Sequence, residues 1–212
     1  MTLFARYYQD NILVQVSMDE IRSLRMNSNN REVIANHIYH RLYDRFLKIF
    51  DYRVNDLDEY EKDGVHVIRN RFTEEYKNGF LQMASCALLI ETFAAFLKGE
   101  DETPYGRSKD MFRVVFEYAY SKQNPLQIFR SNDEFYSSIR CGLLHQGETK
   151  GTYKISRTGD LFTDRTINAY LFHKNLKELI KSYSTDLKTN SWDSDLWVKC
   201  RKKLEYIESK HL

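Results

Sequence analysis

The chain has 212 residues, with 32 Lys and Arg against 30 Asp and Glu and a formal net charge of +2. This length gives one large domain ample core, 42% hydrophobic and 14% aromatic residues exclude a disordered chain, and eight Gly with two Pro weigh against a turn-dense β-sandwich. The charge balance weighs against a bulk electrostatic nucleic-acid binder and confines any such contact to a local patch.

No apolar run approaches the roughly 18 residues of a membrane span, and Met1 to Tyr8 lacks the apolar core of a signal peptide, so a cytoplasmic protein with no membrane contact is expected. No element is predicted before Asn29. From Asn29 to about Phe50, Val33, Ile34, Ile38, Leu42, Phe46, Ile49 and Phe50 recur every three or four positions and predict an amphipathic helix. Asp51 to Asp63 is acidic and aperiodic, which predicts a connector. A second helix is expected from about Val67 to Leu97, ending at Gly99. Its apolar run MASCALLIETFAAFL places it in the middle of a bundle.

A third helix opens at Ser108 or Asp110 and runs to Tyr120, before a new turn at Asn124-Pro125. A fourth has Ser131 or Asn132 as N-cap, Asp133 and Glu134 in its first turn and Gly147 near its end. After Gly147 the pattern alternates: Thr152 to Ser156 and Leu161 to Thr163 predict a short β-hairpin turning at Thr158-Gly159. Two more helices follow, about Ile167 to Leu187 and Asp193 to Ser209. The expected architecture is mainly α, a helical bundle with a short late β-hairpin. It forms a single domain over 1–212, with a core at about 29–187 and a C-terminal helix, 188–212, packing on it.

Candidate chemistry concentrates in Phe135 to Gly147. Arg140 and His145 are five positions apart, about 140° around a helix axis, and the length of the arginine lets both heads line one groove. A guanidinium can hold a phosphate through two hydrogen bonds, and an imidazole can move a proton at neutral pH. RNA cleavage needs those two capabilities. On spacing alone the same pair also reads as a surface charge and a histidine favoured by a helix C-terminus.

ALLIETFAAFLKG, then FYSSIRCGLLHQGETKGTYKI, then RTINAYLFHKNLKELIKSY resemble the HEPN superfamily, over roughly residues 67 to 185. The resemblance implies a helical bundle acting as a metal-independent endoribonuclease of a toxin or anti-phage defence system. It implies no cofactor, a homodimer that joins two Arg/His motifs in one cleft, and an antitoxin or defence-system partner. Arg140 then matches the motif Arg and His145 the motif His. Two positions depart from the pattern: Cys141 stands where active members often have a polar residue, and Gly147 where some carry Tyr. The first keeps open a non-catalytic scaffold reading. Some members use an acidic residue on the preceding long helix, and Glu91 is the candidate. It stands alone among apolar neighbours, so it must find a cation or give up its charge.

Between Ser137 and Arg157, Arg140, Lys150, Lys154 and Arg157 meet only Glu148. Lys150, Lys154 and Arg157 would then carry phosphate contacts beside the motif, with Tyr153 stacking on a base. Rival chemistries have less behind them. Cys141 and His145 are four apart, but nothing marks an oxyanion hole or orienting group. Gly142 to Thr149 approaches a P-loop, yet Glu148 replaces the lysine and no strand precedes it. His37 and His40 share a helix face without further ligands, His173 and Arg165 are minor cleft candidates, and Cys86, Cys141 and Cys200 form no metal motif.

Overall fold

A computed structural model describes residues 2–51, 57–62, 65–70, 78–103 and 105–210. Residues 3–25 carry no predicted element, yet they form an antiparallel hairpin, β1 (Leu3–Gln9) and β2 (Ile12–Ser17), followed by α1 (Met18–Arg25). The hairpin turns on Asp10 and Asn11, both at positive φ (50° and 64°), a backbone that Asp and Asn tolerate better than most residues. It drops Phe4, Tyr7 and Val16 into the core, and the Ser17 hydroxyl accepts the Glu20 amide to cap α1.

The amphipathic pattern after Asn29 becomes α2 (Arg31–Phe46), flanked by single 3₁₀ turns at Ser28–Asn30 and Lys48–Phe50. Ile34, Ile38 and Leu42, four apart, form its buried stripe. The next expectation fails. Where a connector and then a helix from Val67 are predicted, β3 (Leu57–Lys62) pairs antiparallel with β4 (Val65–Asn70), Leu57 opposite Asn70. The β-branched Val65, Val67 and Ile68 favour extended chain and override the weak helical periodicity. The predicted helix over 71–77, like parts of the connector, lies outside the described residues.

The central helix, α3 (Gly79–Lys98), therefore begins at Gly79. Then come α4 (Ser108–Ser121), a 3₁₀ turn at Pro125–Phe129 capped by Asn124, and α5 over residues 133–146. Two long helices follow, α6 (Ala169–Thr189) and α7 (Asp195–Ser209). Polar caps set their starts: Asn132 accepts the Phe135 amide, Asn168 the Leu171 amide and Ser194 the Trp197 amide.

The late hairpin is present, with a different pairing from the one expected. β6 (Phe162–Thr163) and β7 (Thr166–Asn168) are its antiparallel strands, and β5 (Lys154–Ser156) joins β7 in parallel on the other side. The tight turn is Asp164-Arg165, again at positive φ (47° and 59°), so Thr158-Gly159 belongs to a wider loop. The Asn168 side-chain amide donates to the Gly159 carbonyl and ties that loop to the start of α6.

α3 packs against α2, α4, α6 and α7 and buries Met83, Leu89, Ile90, Phe93 and Phe96 completely. Full burial of each such side chain contributes roughly 1.5–3 kcal/mol. By length and composition these 20 residues could cross a membrane, contrary to the expectation that no run approaches that size. The surrounding helices cover much of this apolar surface, while Phe80, Leu81 and Leu88 remain exposed. Gly99 ends α3 at φ +66°, and a Cβ there would stand 2.8 Å from Lys199 Cα. Only glycine combines that backbone with so close an approach of α7. Trp197 is buried beside it, its indole donating to the Leu187 carbonyl.

Candidate active site

α5 is not uniform: Asp133–Phe135 and Gly142–Gln146 are α-helical, but Tyr136–Cys141 is a π-helical stretch. The hydrogen bonds account for the opening. The Gly142 amide donates to the Ile139 carbonyl, and the Ser138 carbonyl is taken by the Lys150 amide at 2.9 Å from the loop that folds back after Gly147. A Cβ at Gly142 would sit 2.4 Å from the Glu148 carbonyl oxygen, so the loop can cross only over a glycine. Such π turns recur at functional sites.

Arg140 lies two residues from both Ser138 and Gly142, half a turn from the loop-covered face, and points toward α3. Its Nε donates to Glu91 Oε1 at 2.6 Å and its Nη2 to Oε2 at 3.4 Å. The lone carboxylate of α3 thus has its cation, with both side chains less than one-fifth exposed. Glu91 in turn raises the Arg140 guanidinium above its ordinary range. The remaining edge of the arginine, Nη1, stands 3.3 Å from His145 Nε2. A guanidinium only donates, so Nε2 accepts and the imidazole proton belongs on Nδ1. His145 is exposed at the end of α5, just before Gly147 caps the helix at φ 69°. The three predicted residues Glu91, Arg140 and His145 are therefore one hydrogen-bonded row, from the half-buried flank of α3 to solvent.

Tyr136, which the sequence pattern did not single out, supports the row. It precedes Arg140 by four positions, its ring 5.7 Å from the guanidinium carbon. Burial raises its phenol, and its hydroxyl interacts with Ser108 and Cys141. The available signal was the i, i+4 aromatic–arginine spacing.

The predicted RNA-contact residues fare differently. Tyr153 is 5% exposed, its hydroxyl donating to Asn132 and its ring stacked on Phe162, so it offers no face to a base and the stacking expectation is corrected. The alternating pattern around it was that of a half-buried strand. Arg157 is half-buried with its Cγ against Gly79. Gly79 lies twelve residues before Glu91, about 18 Å along α3, so Arg157 does not join the row. Lys150 and Lys154 are exposed, but the Lys150 backbone runs on the face of α5 turned away from Arg140.

The rival constellations separate as well. Cys141 is a half-buried free thiol beside Tyr136, while His145 bonds Arg140, so no thiolate–imidazole pair forms. His37 is buried with Nδ1 on the Tyr7 hydroxyl, and His40 stacks on Tyr7 and bonds Asp44. His173 is buried, donating Nε2–H to the Leu47 carbonyl, and Arg165 pairs with Glu134. Among the described residues no three His, Cys, Asp or Glu side chains cluster as a metal site. Comparison with protein-family models, with curated proteins and with solved structures finds no match for the chain.

Proposed function

We propose that the protein is a metal-independent endoribonuclease of the HEPN type that cleaves RNA by attack of a 2′-hydroxyl on the adjacent phosphate. The observation that carries this is the row Glu91–Arg140–His145. Glu91 fixes the guanidinium, whose Nη1 edge faces outward beside the imidazole. A phosphate arriving there takes Arg140's donors in place of His145 and frees Nε2 for a proton. His145 Nε2 then accepts the 2′-OH proton and passes a proton on to the leaving 5′-oxygen. The O2′–P bond forms, the P–O5′ bond breaks, and the products are a 2′,3′-cyclic phosphate and a 5′-hydroxyl. Arg140 stabilises the negative charge that builds on the non-bridging oxygens.

In this reading the protein is cytoplasmic, two copies complete one cleft, and a toxin or anti-phage setting supplies an antitoxin or defence partner that restrains activity. Purified protein is expected to cut RNA in excess EDTA and leave cyclic phosphate ends, with His145→Ala and Arg140→Ala inactive. Equal cutting by either variant would remove the assignment. The second reading, a non-catalytic scaffold, draws on the same geometry: Arg140 is already engaged on two sides, as a structural residue would be. Under it, Arg140→Ala changes the mass seen by light scattering and RNA stays intact with every form of the protein.

A further inference from the structure

An open cleft of about 420 Å³ lies on the outer flank of α3, between the end of α2, the chain after Gly99 and α7. That volume is in the range of sites for small organic groups. The floor is apolar, made by Phe46, Leu88 and Ala95, and Leu88 is 43% exposed. From Leu88 to Ala95 it runs about 10 Å along α3. Glu91 lines the same stretch, so the cleft adjoins the carboxylate that holds Arg140.

The polar wall is defined by what it leaves unused. Three carboxylates line it, Glu91, Asp101 and Glu102. Glu91 is held by Arg140, and Glu102 accepts the Tyr206 hydroxyl and pairs with Lys210 at 3.2 Å. The Asp101 carboxylate has no hydrogen bond or ion pair among the described residues, while its backbone carbonyl accepts from Lys203 Nζ. An ammonium has three N–H groups, so Lys203 keeps donors to spare beside a free acceptor. Arg140, Lys203 and Lys210 also balance the three carboxylates, which leaves the cleft open to a base carried on a nucleic-acid strand.

A donor and an acceptor above an apolar floor match the edge of an unstacked base. Guanine presents O6, an acceptor, next to N1–H and N2–H, two donors that one carboxylate can take together. Adenine, cytosine and uracil have no such pair of neighbouring ring and amino donors. We infer that this cleft is a guanine subsite: the base lies on Leu88 and Phe46, Asp101 accepts N1–H and N2–H, and Lys203 donates to O6. The cut then falls within one or two nucleotides of a guanosine. This rests on the ribonuclease reading and names the substrate of that site.

The test uses the full chain and 5′-labelled single-stranded RNAs that are uridine throughout except for one guanosine. Wild type is expected to cut beside the guanosine about tenfold faster than it cuts an all-uridine strand. Inosine, which differs from guanosine in lacking the N2 amino group, should lower that rate about tenfold, and 7-deazaguanosine, which keeps O6, N1–H and N2–H, should leave it unchanged. Asp101→Asn should bring the guanosine and all-uridine rates close to equal. The preference is a ratio read within one preparation, so loss of folded protein does not imitate it. If wild type cuts the all-uridine strand as fast as the others, or Asp101→Asn keeps the preference, the subsite is overturned and the ribonuclease reading stands. If no strand is cut, calorimetric titration with guanosine decides. Binding that Asp101→Asn abolishes keeps the subsite and removes the ribonuclease reading; no binding, or binding that Asp101→Asn retains, removes both.

Discussion

Two neighbouring segments, residues 133–146 and residues 150–168, present polar and aromatic side chains of similar kinds, and the fold uses them in opposite ways. In the first, Arg140 meets Glu91, the one carboxylate on an otherwise apolar run, and charge pulls the guanidinium to the surface of α3. In the second, Tyr153 has Asn132 for its hydroxyl and Phe162 for its ring, and burial wins. The difference teaches that an aromatic next to lysines becomes a contact residue only where its polar atom lacks an internal partner.

The comparison breaks most visibly at Arg140. Arg140→Ala is expected to lower RNA cleavage about a thousandfold, the usual cost of removing a preorganised donor at a developing oxyanion. A single-turnover assay that finds less than a tenfold loss would deny the row its role. Tyr153→Ala should do the reverse: it should cost about 3 kcal/mol in urea unfolding, as for a truncated core aromatic, and leave affinity for RNA unchanged. Lost RNA affinity with wild-type stability would restore Tyr153 to the surface role. Gly142→Ala tests the boundary between the segments. Its methyl would collide with the Glu148 carbonyl, so stability should fall by about 2 kcal/mol and the Arg140–His145 geometry should loosen. An unchanged melting temperature would mean that the loop does not cross there.

The smallest effect is in pH. Burial lowers the imidazoles of His37 and His173, the latter donating to the Leu47 carbonyl at the entry to α6. A histidine whose folded value lies below the unfolded value of about 6.5 binds more protons unfolded, so its stability is fully present above that pH and declines as pH falls below it. Melting temperatures at pH 7.5 and 5.5 should therefore differ modestly, lower in acid. A rise on acidification would contradict the buried neutral state of both rings.

Much of this was legible in the chain because the signals were local. The cap at Asn132 and the stops at Gly99 and Gly147 mark helix ends by short-range hydrogen bonding and left-handed backbone, whereas the caps Asn168 and Ser194 lie just inside the predicted starts of the last two helices. Glu91 was legible because a charge in an apolar stretch demands a partner. What escaped depends on pairing across the chain. The β3–β4 hairpin was hidden because its first strand, LDEYEK, has a connector's composition. The late strands were paired in the wrong order because Asp164-Arg165 lacks the glycine that advertises a tight turn. The π stretch was invisible for a related reason: it exists because Lys150, twelve residues on, takes the Ser138 carbonyl.

The position of α3 has a consequence for how the molecule is made. Its neighbours come from both sides of it in sequence, α2 before and α4, α6 and α7 after, so its apolar flanks wait on partners up to about a hundred residues away. While the chain is being synthesised, twenty residues greasy enough for a lipid interior stay incompletely covered until α7 has been added. Folding is then a closing event, and the Lys199 backbone seating on Gly99 is among its late contacts. A chain assembled in this order carries an unpacked apolar helix through most of its synthesis.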